Sequence, residues 1–257
     1  MDILIISLVA IFASLMNFLS GFGLGTLLLP ALAIYFPLHI AIILTAIVHL
    51  MTNVFKSIIM RKHVKWKVFI KFGIPSIIFA AIGAFLLNQI VKLDLEFSYS
   101  LFKYHLTTSP INITIAIIMI ISAILDLIPS LQDIKIPKKI LPFGGALSGF
   151  FGGLSGHQGA IRSAFLIKLD LPKEKFVATG IFISLFVDIS RLLVYEYEIV
   201  VNGLEMNYDL LIAASFFAII GAILGKYFLK QVTIKFVRFL LGILLILVSI
   251  AIGLGVI

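Results

Sequence analysis

The chain of 257 residues contains no cysteine. Disulfides, thiolate metal sites and cysteine nucleophiles are therefore excluded. Charge is scarce as well: 12% of the residues are Asp, Glu, Lys or Arg, against about a quarter in ordinary soluble domains. Acids are the rarer sign, 12 against 20 basic residues. The five histidines form no cluster with carboxylates at metal-ligand spacing. Gly21-Phe22-Gly23-Leu24-Gly25 is glycine-rich but is no dinucleotide fingerprint. It lacks the spacing, the preceding soluble strand and the later ribose-binding acid. Neither a cofactor nor a metal is expected.

Apolar side chains are abundant, at 61% of the chain. A soluble core of this length could not hide that much apolar surface, whereas lipid solvates it. The 23 phenylalanines suit lipid-facing helices. The net charge of +8 does not indicate nucleic acid, because the basic residues do not share one polar face interleaved with aromatics. They sit in short gaps between apolar runs. One gap holds Lys56, Arg61, Lys62, Lys65, Lys67 and Lys71, a second Lys135, Lys138 and Lys139. A third holds Lys168, Lys173 and Lys175, and a fourth Lys226, Lys230, Lys235 and Arg238. These gaps are assigned to the cytoplasm by the positive-inside rule. Residues 88–110, of mixed charge, and 196–209, which carry only Glu196, Glu198, Glu205 and Asp209, are assigned to the outside. The start, Met1-Asp2-Ile3, has no basic n-region, so the first apolar segment is expected to be a retained membrane element.

An all-α polytopic membrane protein follows, in the plasma (inner) membrane. Six long helices are expected at 38–60, 68–90, 111–131, 174–195, 209–229 and 235–257. Segments 3–36 and 140–171 are apolar but broken by glycine, at Ser20-Gly21-Phe22-Gly23-Leu24-Gly25 and at Gly152-Gly153-Leu154-Ser155-Gly156-His157-Gln158-Gly159. Glycine disfavours continuous helix and permits tight turns. Each segment is therefore a helical hairpin, either two short spans or one re-entrant pair.

A shift of 135 positions aligns the two halves. Ser20-Gly21 falls on Ser155-Gly156, Pro37 on Pro172, Asn53 on Asp188 and Lys56 on Arg191. After a three-residue insertion, Ile82-Gly83-Ala84 falls on Ile220-Gly221-Ala222. The reading is a first repeat at 1–131, a cytoplasmic linker at 132–139 and a second repeat at 140–257. A hairpin plus three long crossings forces the second half to enter from the other face, with both termini outside. Inverted repeats with broken helices at the midplane recur in secondary transporters, whose helix ends can hold an anion.

Arg162 is the sharpest single residue. A charge at bilayer depth costs at least about 2.5–3.5 kcal/mol on insertion scales, and a guanidinium there suits an anionic oxygen group. The plainer role is a snorkelling or structurally paired arginine. His157, Gln158 and Gly159 share its break; His157 and Gln158 can donate to an oxyanion, and His157 can titrate near neutral pH. Ser155 and Ser20, with Gly21, are weaker substrate-binding candidates, since serine in such a turn is often a cap. Asp188 and Arg191 share a helix face and read as an ion pair near the outer end, or as a gating or coupling site. Asn53 and Lys56 repeat that spacing near the inner end, with His49 one turn earlier; Asn53 and His49 are counted with the gating or coupling candidates, the plainer role of His49 being a histidine with one satisfied hydrogen bond.

The two breaks, the first leading to Leu29-Pro30-Ala31-Leu32 and the second opening at Gly149-Phe150-Phe151-Gly152, together with the basic loop His63-Val64-Lys65-Trp66, resemble the sulfite exporter TauE/SafE family over nearly the whole chain. The resemblance implies a carrier that exports small anions such as sulfite or organosulfonates. Leu24 in the first break and His157-Gln158 in the second stand where many members have glycine. Gln158, Gly159 and Arg162 match a Gln-Gly…Arg pattern in the second hairpin. The expected partners are a small anion, the lipid bilayer and a coupling ion, H+ or Na+; oligomeric state is left open. The competing functions are an anion channel and an integral-membrane enzyme using His157 and Asp188.

Overall fold

The computed structural model describes residues 2–20, 24–93, 95–101, 103–127, 137–201, 208–228 and 234–256. The first hairpin is α1 (Asp2–Ser20) and α2 (Leu24–Ala33), followed by α3 (Leu38–Met60) and α4 (Trp66–Val91). A short antiparallel pair, β1 (Phe97–Leu101) and β2 (Tyr104–Thr108), precedes α5 (Pro110–Leu127). The second hairpin is α6 (Leu141–Ser155) and α7 (Gln158–Leu166), and α8 (Lys173–Val201), α9 (Tyr208–Phe228) and α10 (Ile234–Gly253) complete the chain. Apart from that β pair the described chain is helical, as an all-α membrane protein requires. Helices occupy each of the six long apolar runs, the fourth continuing to Val201 and the sixth stopping at Gly253; the ends of the third and fifth and positions 132–136 of the linker lie outside the described residues.

Local chemistry explains the interruptions. Gly156 ends α6 at φ 82°, and its N–H reaches Gly152 O at 2.9 Å. That left-handed position is the one glycine fills at no Cβ cost. α2 and α7 have 10 and 9 residues, which rise about 15 Å or less, half of a bilayer core of about 30 Å. The loop 88–110, read from sequence only as an outer gap, contains the β pair. Tyr99 Oη and Thr108 Oγ1 donate to Leu254 O at 2.8 Å and Gly253 O at 2.9 Å, tying the pair to the end of α10.

Packing divides the spans into inner and outer. In α3 and α8 the apolar windows are 61% and 56% buried, against 39% in both α4 and α9. The outer helices therefore give most of their surface to lipid, through residues such as Ile78, Phe85, Ile212 and Phe216. The inner pair is where polar side chains gather. The hairpin helices lie tightly on the outer spans. A Cβ on Gly145, Gly149 or Gly153 of α6 would fall 2.1, 2.0 and 2.0 Å from the carbonyl oxygens of Phe72, Ser76 and Ala80 on α4. Close backbone approach through small residues is how helices associate where lipid removes the hydrophobic driving force. α1 lies on α9 in the same manner: a Cβ on Gly221 would fall 2.1 Å from Ile11 O. α5 packs along α10, and α3 along α8.

Candidate functional site

Both breaks arrive at one place. A Cβ added to Gly25, just past the first break, would lie 3.5 Å from Gly156 O in the second. Between them is a cavity of about 20 Å³, room for roughly one water. From the second hairpin it is lined by Gly156, His157, Gln158, Gly159 and Arg162, and facing these are Asn17, Thr26, His49, Ser122 and Ser184.

Arg162 is 3% exposed. Its guanidinium donates to Ser184 Oγ on α8, and Gly180 gives it passage, since a Cβ there would stand 3.3 Å from Nε. The start of α7 is fixed from below by Ser148 Oγ, which donates to Gln158 O at 3.0 Å. The side-chain amide of Gln158 is otherwise disposed. Both its oxygen and its nitrogen are buried without a hydrogen-bond partner, as are Nε2 of His157 and the hydroxyl of Ser122. Leaving such groups unpaired costs about 1–3 kcal/mol each. Four unpaired polar atoms around one cavity, at the amino end of a helix and beside a guanidinium, form a set of hydrogen-bonding groups in want of a polar guest.

Ser155 has a structural role. Its hydroxyl donates to Phe151 O at 2.9 Å and accepts from His157 N at 3.3 Å, while His157 Nδ1 lies 3.1 Å from Ser155 O. Ser155 thereby shapes the turn that presents His157 and Gln158. Ser20 is the last residue of α1; its side chain and Gly21 lie outside the described residues.

The second polar group is centred on Asp188, 0% exposed. Arg191 donates to Oδ1 from Nε at 3.1 Å and from Nη2 at 2.8 Å. Oδ2 accepts from Asn53 at 2.9 Å and meets His49 Nδ1 at 2.7 Å. This corrects the expectation that Asp188–Arg191 and Asn53–Lys56 occupy opposite ends of the membrane. Counting residues from each helix end assumes upright helices that start at the interface. α3 and α8 instead pack together so that Asn53 and Asp188, 135 positions apart, meet. Lys56 Nζ reaches Asn17 Oδ1 at 2.5 Å near the end of α1, and Arg191 Nη1 lies 3.5 Å from Gly152 O near the end of α6. Asn17 and Gly152 are also 135 apart, so each cation approaches the carboxyl end of a broken helix, where positive charge is favoured.

Sequence reasoning missed Asn17, Thr26, Ser122 and Ser184. The last was within reach, because the same offset places Ser184 on His49. Ser122 lies on α5, outside both hairpins, and nothing in its neighbours marks it. No group of His and carboxylates able to hold a metal occurs among the described residues.

No curated protein and no solved structure matches the chain. The sulfite exporter TauE/SafE family matches residues 6–252. With that extent of agreement, and with two glycine-broken hairpins meeting around a buried arginine, the chain belongs to the sulfite exporter TauE/SafE family of membrane transporters.

Proposed function

We propose that this protein is an alternating-access carrier for a small oxyanion, sulfite or an organosulfonate, with Arg162, Gln158, His157 and the amino end of α7 as its binding group. The observation that carries the reading is the set of buried, unpartnered polar atoms of Gln158, His157 and Ser122 facing the same cavity as Arg162. An oxyanion supplies acceptors for the guanidinium fork, the amide N–H groups, the imidazole and the first N–H groups of α7. The cavity between the breaks is narrow, with room for about one water, and an oxyanion seated there needs α7 or its surroundings to part. That fits a carrier better than a permanently wet channel. His157 bonds within its own turn and Asp188 to Arg191, His49 and Asn53, so the two do not form the pair that an enzyme using His157 with Asp188 needs.

The inverted-repeat reading belongs to this proposal. In its favour, the packing of α1 on α9 and of α6 on α4 exchange under the repeat, and Asn53 and Asp188, equivalent positions, bond to each other. The plasma membrane and outward-facing termini are part of the same reading.

Binding of sulfite, sulfate, thiosulfate, methanesulfonate and small carboxylates to the purified protein, followed by flux in proteoliposomes, tests it. Arg162→Ala is expected to abolish both while leaving a monodisperse protein, and Arg162→Lys to recover only part, because an ammonium lacks the planar fork. Wild-type flux in Arg162→Ala refutes the assignment.

A further inference from the structure

The assembly around Asp188 contains more than an ion pair needs. Arg191 alone neutralises the carboxylate and occupies Oδ1 with two hydrogen bonds. A second titratable side chain, His49, approaches Oδ2 at 2.7 Å from the other hairpin's half of the chain. This is the feature that calls for an account.

His49 stands between two environments. Nδ1 faces Asp188, and the ring borders the cavity shared with Arg162, Gln158 and His157. With Nδ1–H donated to the carboxylate, Nε2 holds the lone pair. A proton entering there converts the hydrogen bond into an ion pair without displacing a heavy atom. Asp188 then serves two cations. Arg191 has somewhere else to turn: Nη1 lies 3.5 Å from Gly152 O and so close to Gly156 that a Cβ there would be 2.9 Å away. Gly156 leads directly into His157 and Gln158. A change of charge at His49 therefore passes through Asp188 and Arg191 to the anion-binding break.

The groups around His49 bear this out by kind. α8 contributes Asp188 and Arg191, its own helix Lys56, α7 Arg162 and the second break His157. α2 carries no titratable side chain, and those of α9, Tyr208, Asp209, Lys226 and Tyr227, are exposed at its ends. On α5 the side chain of Asp126 is outside the described residues. Asp188 accepts from nitrogen donors on both oxygens, so it offers no open oxygen pair to Na+, which needs oxygen ligands.

We infer that His49 and Asp188 form the proton-coupling site of the carrier, one proton being taken up with each anion. The inference rests on the carrier reading above. The sign follows from electrostatics: an anion beside Arg162 favours positive charge on His49, and linkage makes the effect reciprocal.

Sulfate and methanesulfonate, which do not titrate near neutral pH, are the probes. Adding either to unbuffered purified protein is expected to draw protons from solution. Affinity is expected to be at least about fivefold tighter near pH 6 than near pH 8. In proteoliposomes an internal pH dye should report protons moving with the anion. His49→Asn, which keeps a donor at the Nδ1 position, should bind and move anion with no proton; His157→Asn should bind more weakly yet still take up protons. Proton uptake retained in His49→Asn, its loss in His157→Asn instead, failure of His49→Asn to bind anion, or no uptake by wild type overturns the coupling site. If wild type neither binds nor moves sulfate, methanesulfonate or sulfite, the carrier reading falls with it.

Discussion

At the scale of the residue, two buried groups have opposite standing. Asp188 is fully paired, and stability depends on it. Asp188→Ala strands Arg191 and is expected to cost about 3–5 kcal/mol, read as a lowered midpoint of thermal unfolding in detergent. Gln158 is buried at 1% exposure with neither amide atom partnered. Gln158→Met keeps its length and removes the unpaired polarity, so unfolding is expected at the same or higher temperature while anion affinity falls at least about tenfold, by the loss of one or more hydrogen bonds to a charged group. A fall in stability with affinity intact would make Gln158 a structural residue. Arg162, Gln158 and His157 stood out in the sequence because charge and amide are conspicuous in an apolar run. Ser184 and Ser122 did not, since a hydroxyl in a membrane helix is commonplace and its use depends on which way the helix faces.

At the scale of the element, the helices were legible because a span needs a long apolar run and lysines collect between runs. The breaks were legible because glycine is punctuation. The contact made by Gly145, Gly149 and Gly153 was not: the four-residue spacing is visible, but each partner carbonyl on α4, of Phe72, Ser76 and Ala80, comes from 73 residues earlier. Ser76 Oγ bridges Phe72 O and Gly145 O at 2.9 Å within that seam. Gly149→Ala forces the helices apart and is expected to destabilise by about 1–3 kcal/mol, again by thermal unfolding; Ala146→Gly on the same helix provides the comparison for helix propensity alone. α4 begins with a π turn over Phe69–Gly73, a departure that no apolar period announces.

At the scale of the whole molecule, the topology is open to a direct test because the chain has no cysteine of its own. Tyr35, Lys62 and Lys175 are exposed. An impermeant thiol reagent added to intact cells is expected to label Tyr35→Cys and to spare Lys62→Cys and Lys175→Cys until the membrane is opened. Labelling of Tyr35→Cys and Lys175→Cys from the same side would remove the inverted repeat. The offset of 135 residues was readable from glycine and proline alone. That Asn53 and Asp188, separated by this offset, touch was not, because contact between two helices depends on which faces they turn to each other.

Composition and apolar runs are enough to read a helical membrane protein, and glycine, amide and charge inside apolar sequence are enough to mark the two breaks and Arg162. These follow from transfer energies and backbone freedom, which act locally along the chain. It took the folded chain to show that Gly25 and the second break share one cavity, that Ser122 and Ser184 border it, and that His49 meets Asp188. Those are relations between segments far apart in the chain, set by how helices cross, and no local preference encodes them.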